Sequence, residues 1–357
     1  MKKTLYILLV AGCMGLLLVT SGPALAQAEK PIVLRTADFY PPNHPIELMF
    51  KKHFMTPVEQ RSKGRIKFDY YGNEALLKNF DISPGIMSGI ADVGNTISSY
   101  RIWPVGSFMY LPGAFSDQEV VKFARASWPV YNKFLGRLAE PQGLKFLMGP
   151  CTSNYQIAGR GAGKKTADLG GIKIRTSGTV LPHCIKALGG TPVGMSITEA
   201  YDAMEKGVLQ GISLAIPSYK AYQFQELLKW AIINVDLGSA IISYGISLKK
   251  FNSLPPDLQK ILVDVGNEAT DVGTETYYED VKKDLADWKA RGVELITWSA
   301  KDKDRENALL KDTWVKWITD EEKRYRPLRQ MLTEWSDNLD KEGIPLSRHF
   351  KDAIKGK

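Results

Sequence analysis

Arg175 is the residue whose type and place most clearly invite chemistry. It ends the run Ile172-Lys173-Ile174-Arg175, where apolar and charged side chains alternate as on a half-buried strand. Thr176-Ser177-Gly178 breaks that strand, and Val180 to Leu188 reads as a helix stopped by Gly189-Gly190. A long guanidinium fork is thus delivered to a strand-to-helix turn, the place where open α/β folds bind their ligands. A carboxylate is the planar partner that such a fork fits best. A solvated strand-end arginine is the plainer alternative.

Catalysis finds little support. The four histidines, His44, His53, His183 and His349, stand at no metal-binding spacing, and there is no G-x-S-x-G elbow. The segment Gly159 to Thr166 imitates a phosphate loop, but Ala158 stands where its first glycine belongs and Lys165 where Ser or Thr belongs. It reads as a surface turn. No catalytic residue, metal ligand or cofactor is therefore expected. The formal charge is +8, of which Lys2 and Lys3 supply two, and the basic residues are not gathered into runs. Nucleic-acid binding is not expected from such a spread.

Residues 1–26 combine Lys2-Lys3, an apolar core and the ending Pro23-Ala24-Leu25-Ala26, which predicts a secretory signal cleaved after Ala26. An uncleaved anchor and a lipoprotein box at Val10-Ala11-Gly12-Cys13 are alternatives. No later stretch is apolar enough to span a bilayer, so the mature protein is expected to be soluble and periplasmic. About 330 residues then remain, enough for two domains with their own cores. Cys151 and Cys184 remain as well, and an oxidising compartment allows them one disulfide. Spacing alone cannot decide whether they meet.

The elements that must position Arg175 follow a βαβα rhythm. Ile32 to Ala37 reads as a strand, followed by the loop Asp38 to Pro45 and a helix to about Ser62. Ile66 to Tyr70 alternates as a strand, a helix covers about Lys78 to Gly89, and Ala91 to Asn95 follows as a strand. Leu144 to Met148, Ala231 to Val235 and Ala240 to Ser247 are further strands. From Ser253 a long helix, with Pro255-Pro256 in its first turn, runs to about Arg291. The alternation predicts parallel sheet with helices on its faces.

The segment from Asp168 to Pro217 resembles the matching region of the extracytoplasmic solute-binding proteins of TRAP (tripartite ATP-independent periplasmic) transporters. The resemblance rests on the D-L-x-G turn at Asp168, the strand Gly171-Ile172-Lys173-Ile174-Arg175, the helix ending Ala187-Leu188-Gly189, Thr191-Pro192-Val193, the helix from Glu199 to Gly207, and Gln210-Gly211. It continues upstream in IVLRTADFYPPNHP, KGRIKFDYYGNEAL and MSGIADVGNTISSY, and downstream in FQELLKW, SLPPDLQKI and GVELITWS. It covers nearly the whole mature chain.

The resemblance implies a bilobal, type II-like periplasmic-binding-protein fold: two α/β lobes, a cleft between them and a long lobe-spanning helix. The chain would cross between lobes near residues 150 and 237. One lobe would comprise 27–150 plus 237–275, and the other 151–236 plus 276–357 with the C-terminal helices. It also implies that the family's ligand arginine stands at Arg175, clamping an organic acid for delivery to the membrane subunits of a TRAP transporter. Loops that follow strands offer further lining candidates. These are Phe39, Tyr40 and Asn43; Asn95, Thr96 and Ser98; Thr152, Ser153, Tyr155 and Gln156; and Ser213, Pro217 and Tyr219. Turn, cap or core roles are the alternatives for each. Ser196 with Glu199 matches a capping box and reads as structural.

One departure bears on the ligand. Many dicarboxylate- and sialic-acid-binding relatives carry E-N-P after an acidic turn. Here Gln210-Gly211 is the turn and Leu214 occupies the amide position. A histidine of those relatives corresponds roughly to Asp236. A site with Leu214 and Ile216 on that side suggests a hydrophobic or aromatic monocarboxylate. A C4-dicarboxylate binder, or a ligand-binding subunit of a sensor system, is the alternative.

Overall fold

The computed structural model describes residues 30–113, 119–163 and 165–356. The expected signal at residues 1–26 lies outside them. The body from Pro31 onward contains two sheets. The first has the strand order β2-β1-β3-β10-β4 and is built from β1 (Ile32–Ala37), β2 (Ile66–Tyr71), β3 (Val93–Asn95), β4 (Leu144–Met148) and β10 (Tyr244–Ser247). The second has the order β11-β9-β5-β8-β6-β7. Its members are β5 (Tyr155–Gly159), β6 (Lys173–Thr176), β7 (Thr191–Gly194), β8 (Gly211–Ala215), β9 (Trp230–Ile232) and β11 (Glu294–Ile296). The fold is bilobal α/β, with one lobe around each sheet.

The connectivity follows from the residues that join the sheets. β1 pairs in parallel with β2 and β3, as βαβ units require. β10 enters antiparallel between β3 and β4 after the chain returns from the second sheet. The passages lie at residues 149–154 and 233–243, between β4 and β5 and between β9 and β10. Gly238 makes the second passage possible. It has φ +69, and a Cβ there would stand 2.4 Å from the Met109 carbonyl oxygen, so only glycine lets the two backbones approach.

The helix Pro256–Ala290 is 35 residues long, which is ~50 Å at 1.5 Å per residue. It braces both lobes, and its small residues explain how. Thr270 and Thr274 accept hydrogen bonds from the Gly149 and Cys151 amides at 3.1 and 2.9 Å, and Gly266 lies against the Leu147 carbonyl. Further along, Tyr277 shares a 2.8 Å hydrogen bond with Ser218, and Trp288 packs edge-on against Tyr219.

Two features differ from the sequence reading. The helix Val120–Ala139 falls in a stretch assigned no element, although its buried residues keep helical spacing on both sides of Pro129. The C-terminal helices, given no core role in that reading, add to the core. Leu328, Met331, Leu332, Trp335 and Leu339 form a buried stripe on the helix Leu328–Lys341. Trp335 donates to Ser127 Oγ at 2.8 Å on the helix Val120–Ala139. Cys151 and Cys184 are both free and buried, and burial pushes both thiols up. They sit on separate elements, Cys151 bridging to Ile241 and Cys184 in the helix Leu181–Ala187.

Candidate functional site

Arg175 lies on β6, paired in parallel with Val193 of β7 on one side and Ile212 of β8 on the other. Two flanking strands fix its backbone, and its position near the carboxyl end of a parallel strand directs it to the cleft side of the sheet. The side chain is 4 % exposed and donates through Nε to the Met195 carbonyl at 3.1 Å. Among the described residues no carboxylate pairs with it. A buried guanidinium without an anionic partner is costly, so a site that holds one is arranged for an anion from outside the chain.

Around Arg175 side chains of both lobes line a partly open cavity of about 40 Å³. Of the expected lining residues, Phe39, Tyr40, Ser98, Thr152 and Tyr155 meet there with Arg175. Eight take other places. Asn43 lines a separate surface depression, Thr96 donates to Ser243 Oγ at 2.7 Å, Gln156 accepts from the Val235 amide at 3.1 Å, and Ser153 is buried outside the cavity. Asn95 closes a turn by accepting from the Ile97 amide at 3.0 Å. Ser213 is fully buried in β8. Pro217 faces a separate surface depression with Pro42 and Leu48. Tyr219 is a core pin whose hydroxyl donates to the Gln156 and Ile212 carbonyls at 3.1 and 2.8 Å. Asn95 and Ser213 lie within strands, and Pro217 and Tyr219 on the helix Ile216–Ala221, which turns Ser218 to the cavity; spacing from the turn does not reveal which face that is.

The cavity also gathers residues the sequence reading passed over. Tyr100, Tyr110 and Tyr222 join its wall, and the Tyr110 hydroxyl donates to Tyr155 Oη at 3.3 Å. Ile97, Ile197, Leu214 and Ile242 supply aliphatic surface. Arg175 is the only charged side chain among the described residues of this wall. Asp236, at the position where some relatives carry histidine, lies outside this cavity and is half-buried. It accepts from the Gly113 amide at 2.8 Å, and burial with Glu306 nearby raises it to about 6.

Phe39 and Tyr40 are set by a network rather than by a strand. Asp38, at the end of β1, accepts from the Tyr40 amide at 3.2 Å and from the Tyr244 and Tyr70 hydroxyls at 2.5 and 3.2 Å. Burial nevertheless raises its carboxyl to about 7, because no cation offsets the desolvation. Tyr40 stacks on His44, whose Nδ1 accepts from the Ile46 amide and caps the helix Pro45–Phe50. Burial lowers His44 to about 3, so it serves as a neutral acceptor at ordinary pH.

The capping box expected at Ser196 and Glu199 is not formed. Ser196 stands at the N-cap, but its hydroxyl makes no cap bond. It accepts instead from Asn79 Nδ2 at 3.2 Å and shares a 2.9 Å hydrogen bond with Thr198. The phosphate-loop lookalike is an irregular loop between β5 and β6, with Lys165 paired to Glu294 at 2.9 Å; Lys164 lies outside the described residues.

Comparison with known proteins agrees with this architecture. Residues 36–320 match the family described as bacterial extracellular solute-binding protein, family 7. The C4-dicarboxylate-binding periplasmic protein of Rhodobacter capsulatus is 25 % identical over 291 residues, covering 80 % of this chain and 84 % of that protein. A TRAP solute-binding protein from Rhodoferax ferrireducens, solved with copurified benzoate, superimposes with a TM-score of 0.81 at 21 % identity. That match covers 87 % of this chain and 98 % of the other. A marine-metagenome TRAP solute-binding protein specific for aromatic acid ligands, solved with 3-hydroxybenzoate, gives a TM-score of 0.79 at 20 % identity, covering 87 % and 99 %. The two lobes, the cleft and the family match together place this chain among the bacterial extracellular solute-binding proteins of family 7, the receptors of TRAP transporters.

Proposed function

We propose that this protein captures a small monocarboxylic acid with an apolar or aromatic body and hands it to the membrane subunits of a TRAP transporter. The observation that carries the reading is the single cation, Arg175, in a wall otherwise made of tyrosine, aliphatic and neutral polar side chains. One carboxylate matches one guanidinium. A dicarboxylate would bury its second charge with no cation to meet it, a cost of several kcal/mol per ion. Leu214 stands where an amide would have to satisfy such a group. Related proteins solved with benzoate and 3-hydroxybenzoate support the aromatic preference, and the relative named for C4-dicarboxylates keeps the other acid class as the alternative.

The mechanism is binding without bond chemistry. Arg175 takes the carboxylate, the ring lies against tyrosines and Leu214, and the lobes close over it by bending at the passages near residues 150 and 237. In that division residues 27–150 plus 237–275 form one lobe and 151–236 plus 276–357 the other, joined by the bracing helix. Closure excludes water and so strengthens the charge-assisted bonds, each about 1.5–3 kcal/mol. Micromolar affinity needs about 8 kcal/mol, and burial of the apolar body supplies the rest. The test is a thermal-shift comparison of mature protein, refolded to remove copurified ligand, with benzoate and with succinate. Stabilisation by benzoate that disappears in Arg175→Ala supports the reading; stabilisation by succinate alone overturns the monocarboxylate assignment.

A further inference from the structure

Asn79 bonds both within its own lobe and across the cleft. It begins the one-turn helix Asn79–Asp81 in the first lobe, with its backbone amide donating to Glu74 Oε1 at 2.9 Å. Its side chain lies on the wall of the ligand cavity and also on the wall of the open depression outside it. It therefore stands between the bound ligand and solvent. Its Oδ1 accepts from the Ser98 hydroxyl of the same lobe, and its Nδ2 donates to Ser196 Oγ of the other lobe at 3.2 Å. Asn79 and Ser196 are each 5 % exposed, so water competes little for this bond.

Ser196 supplies the independent observation. The pattern Ser196-Ile197-Thr198-Glu199 is that of a capping box, and a filled N-cap stabilises a helix by about 0.5–2 kcal/mol. Here the Glu199 amide reaches only the Ser196 backbone carbonyl at 3.3 Å, and the hydroxyl instead accepts from Asn79 Nδ2 of the other lobe at 3.2 Å and shares a 2.9 Å bond with Thr198 of its own helix. The helix Ile197–Glu205 forgoes its cap so that a bond can cross the cleft. Departures from local rules of this kind concentrate where function demands them.

We propose that Asn79 and Ser196 form a hydrogen-bonded latch that sets how long a captured acid stays in the cleft. The latch rests on the binding reading above, but not on which acid is bound. Opening must break the Asn79–Ser196 bond before the lobes part, while an arriving ligand meets an open cleft where the bond is absent. The latch therefore slows release and leaves capture almost untouched. Asn79 acts as a positioning residue through the closed state rather than by holding the carboxylate.

The test is stopped-flow tyrosine and tryptophan fluorescence on the mature protein, with benzoate and, in parallel, succinate. Ser196→Ala should raise the release rate about five- to tenfold, the range of one neutral hydrogen bond, with an unchanged association rate. Asn79→Ala should raise the release rate as well, and the double variant should release no faster than the faster single. Ser196→Thr, which keeps the hydroxyl, should restore the wild-type rate. Because the Ser196 hydroxyl caps nothing, the unliganded melting temperature of Ser196→Ala should stay near wild type, which guards against a folding defect. A Ser196→Ala protein that releases its acid at the wild-type rate overturns the latch alone. A wild-type protein that binds neither acid overturns the binding reading and the latch with it.

Discussion

The two walls of the cleft are built in opposite ways. The second lobe presents Arg175 on a strand held by parallel neighbours on both sides, so the position of the guanidinium follows from the sheet. The first lobe presents Phe39 and Tyr40 on a loop, and their placement follows from Asp38, whose partners Tyr70 and Tyr244 come from distant parts of the chain. A charge anchor must not move, and a strand end gives that. A surface that shapes itself to an apolar body can be set by a side-chain network, and a loop allows its variation.

Removing the anchor should have the largest consequence. Arg175→Ala should weaken acid binding about a thousandfold, since the carboxylate is then buried without a partner. Arg175→Lys should weaken it at least tenfold, because an ammonium cannot reproduce the planar fork. Isothermal titration calorimetry reads both.

On the loop side, Asp38→Asn should change the pH profile of stability. Asp38 is raised to about 7 in the folded protein from an ordinary 3.8. Its contribution is therefore full below about pH 4 and is lost as pH rises through 7. The variant should gain on wild type between pH 4 and pH 7 and level off above it, by on the order of 4 kcal/mol in all. His44 titrates in the opposite sense in both proteins and cancels in the difference. Parallel denaturation curves across that range would remove the Asp38 network from the account.

Where the walls meet, Gly178 has φ +65, and a Cβ would stand 2.6 Å from Ser107 Oγ of the facing lobe. Gly178→Ala should cost about 2 kcal/mol of stability by chemical denaturation, part of it recovered by Ser107→Gly. The smallest change sharpens the choice of ligand. Leu214→Asn should lower affinity for aromatic monocarboxylates about tenfold, or ~1.4 kcal/mol, while narrowing the preference over C4-dicarboxylates.

What could be read from the sequence follows the same division. β1 and β4 have the limits read for them as short strands, and the long helix begins beside the prolines that announce it. Arg175 was legible because strand, turn and helix are all local signals. Tyr100, Tyr110 and Tyr222 were not, since only the closing of two lobes brings them to one cavity, and an isolated tyrosine looks like core. The 20-residue helix Val120–Ala139 was not read, although its buried residues keep helical spacing on both sides of Pro129. Ser196 misled for a different reason. Its local signal was sound, but a residue in the other lobe outcompeted the helix for its hydroxyl.

The most direct test of the account is calorimetric titration of the refolded mature protein and of Arg175→Lys with an aromatic monocarboxylate and with a C4-dicarboxylate. The account predicts tight binding of the monocarboxylate, at least tenfold loss in Arg175→Lys, and weak or no binding of the dicarboxylate. Equal affinity of the two proteins for the monocarboxylate, or preference for the dicarboxylate, would contradict it.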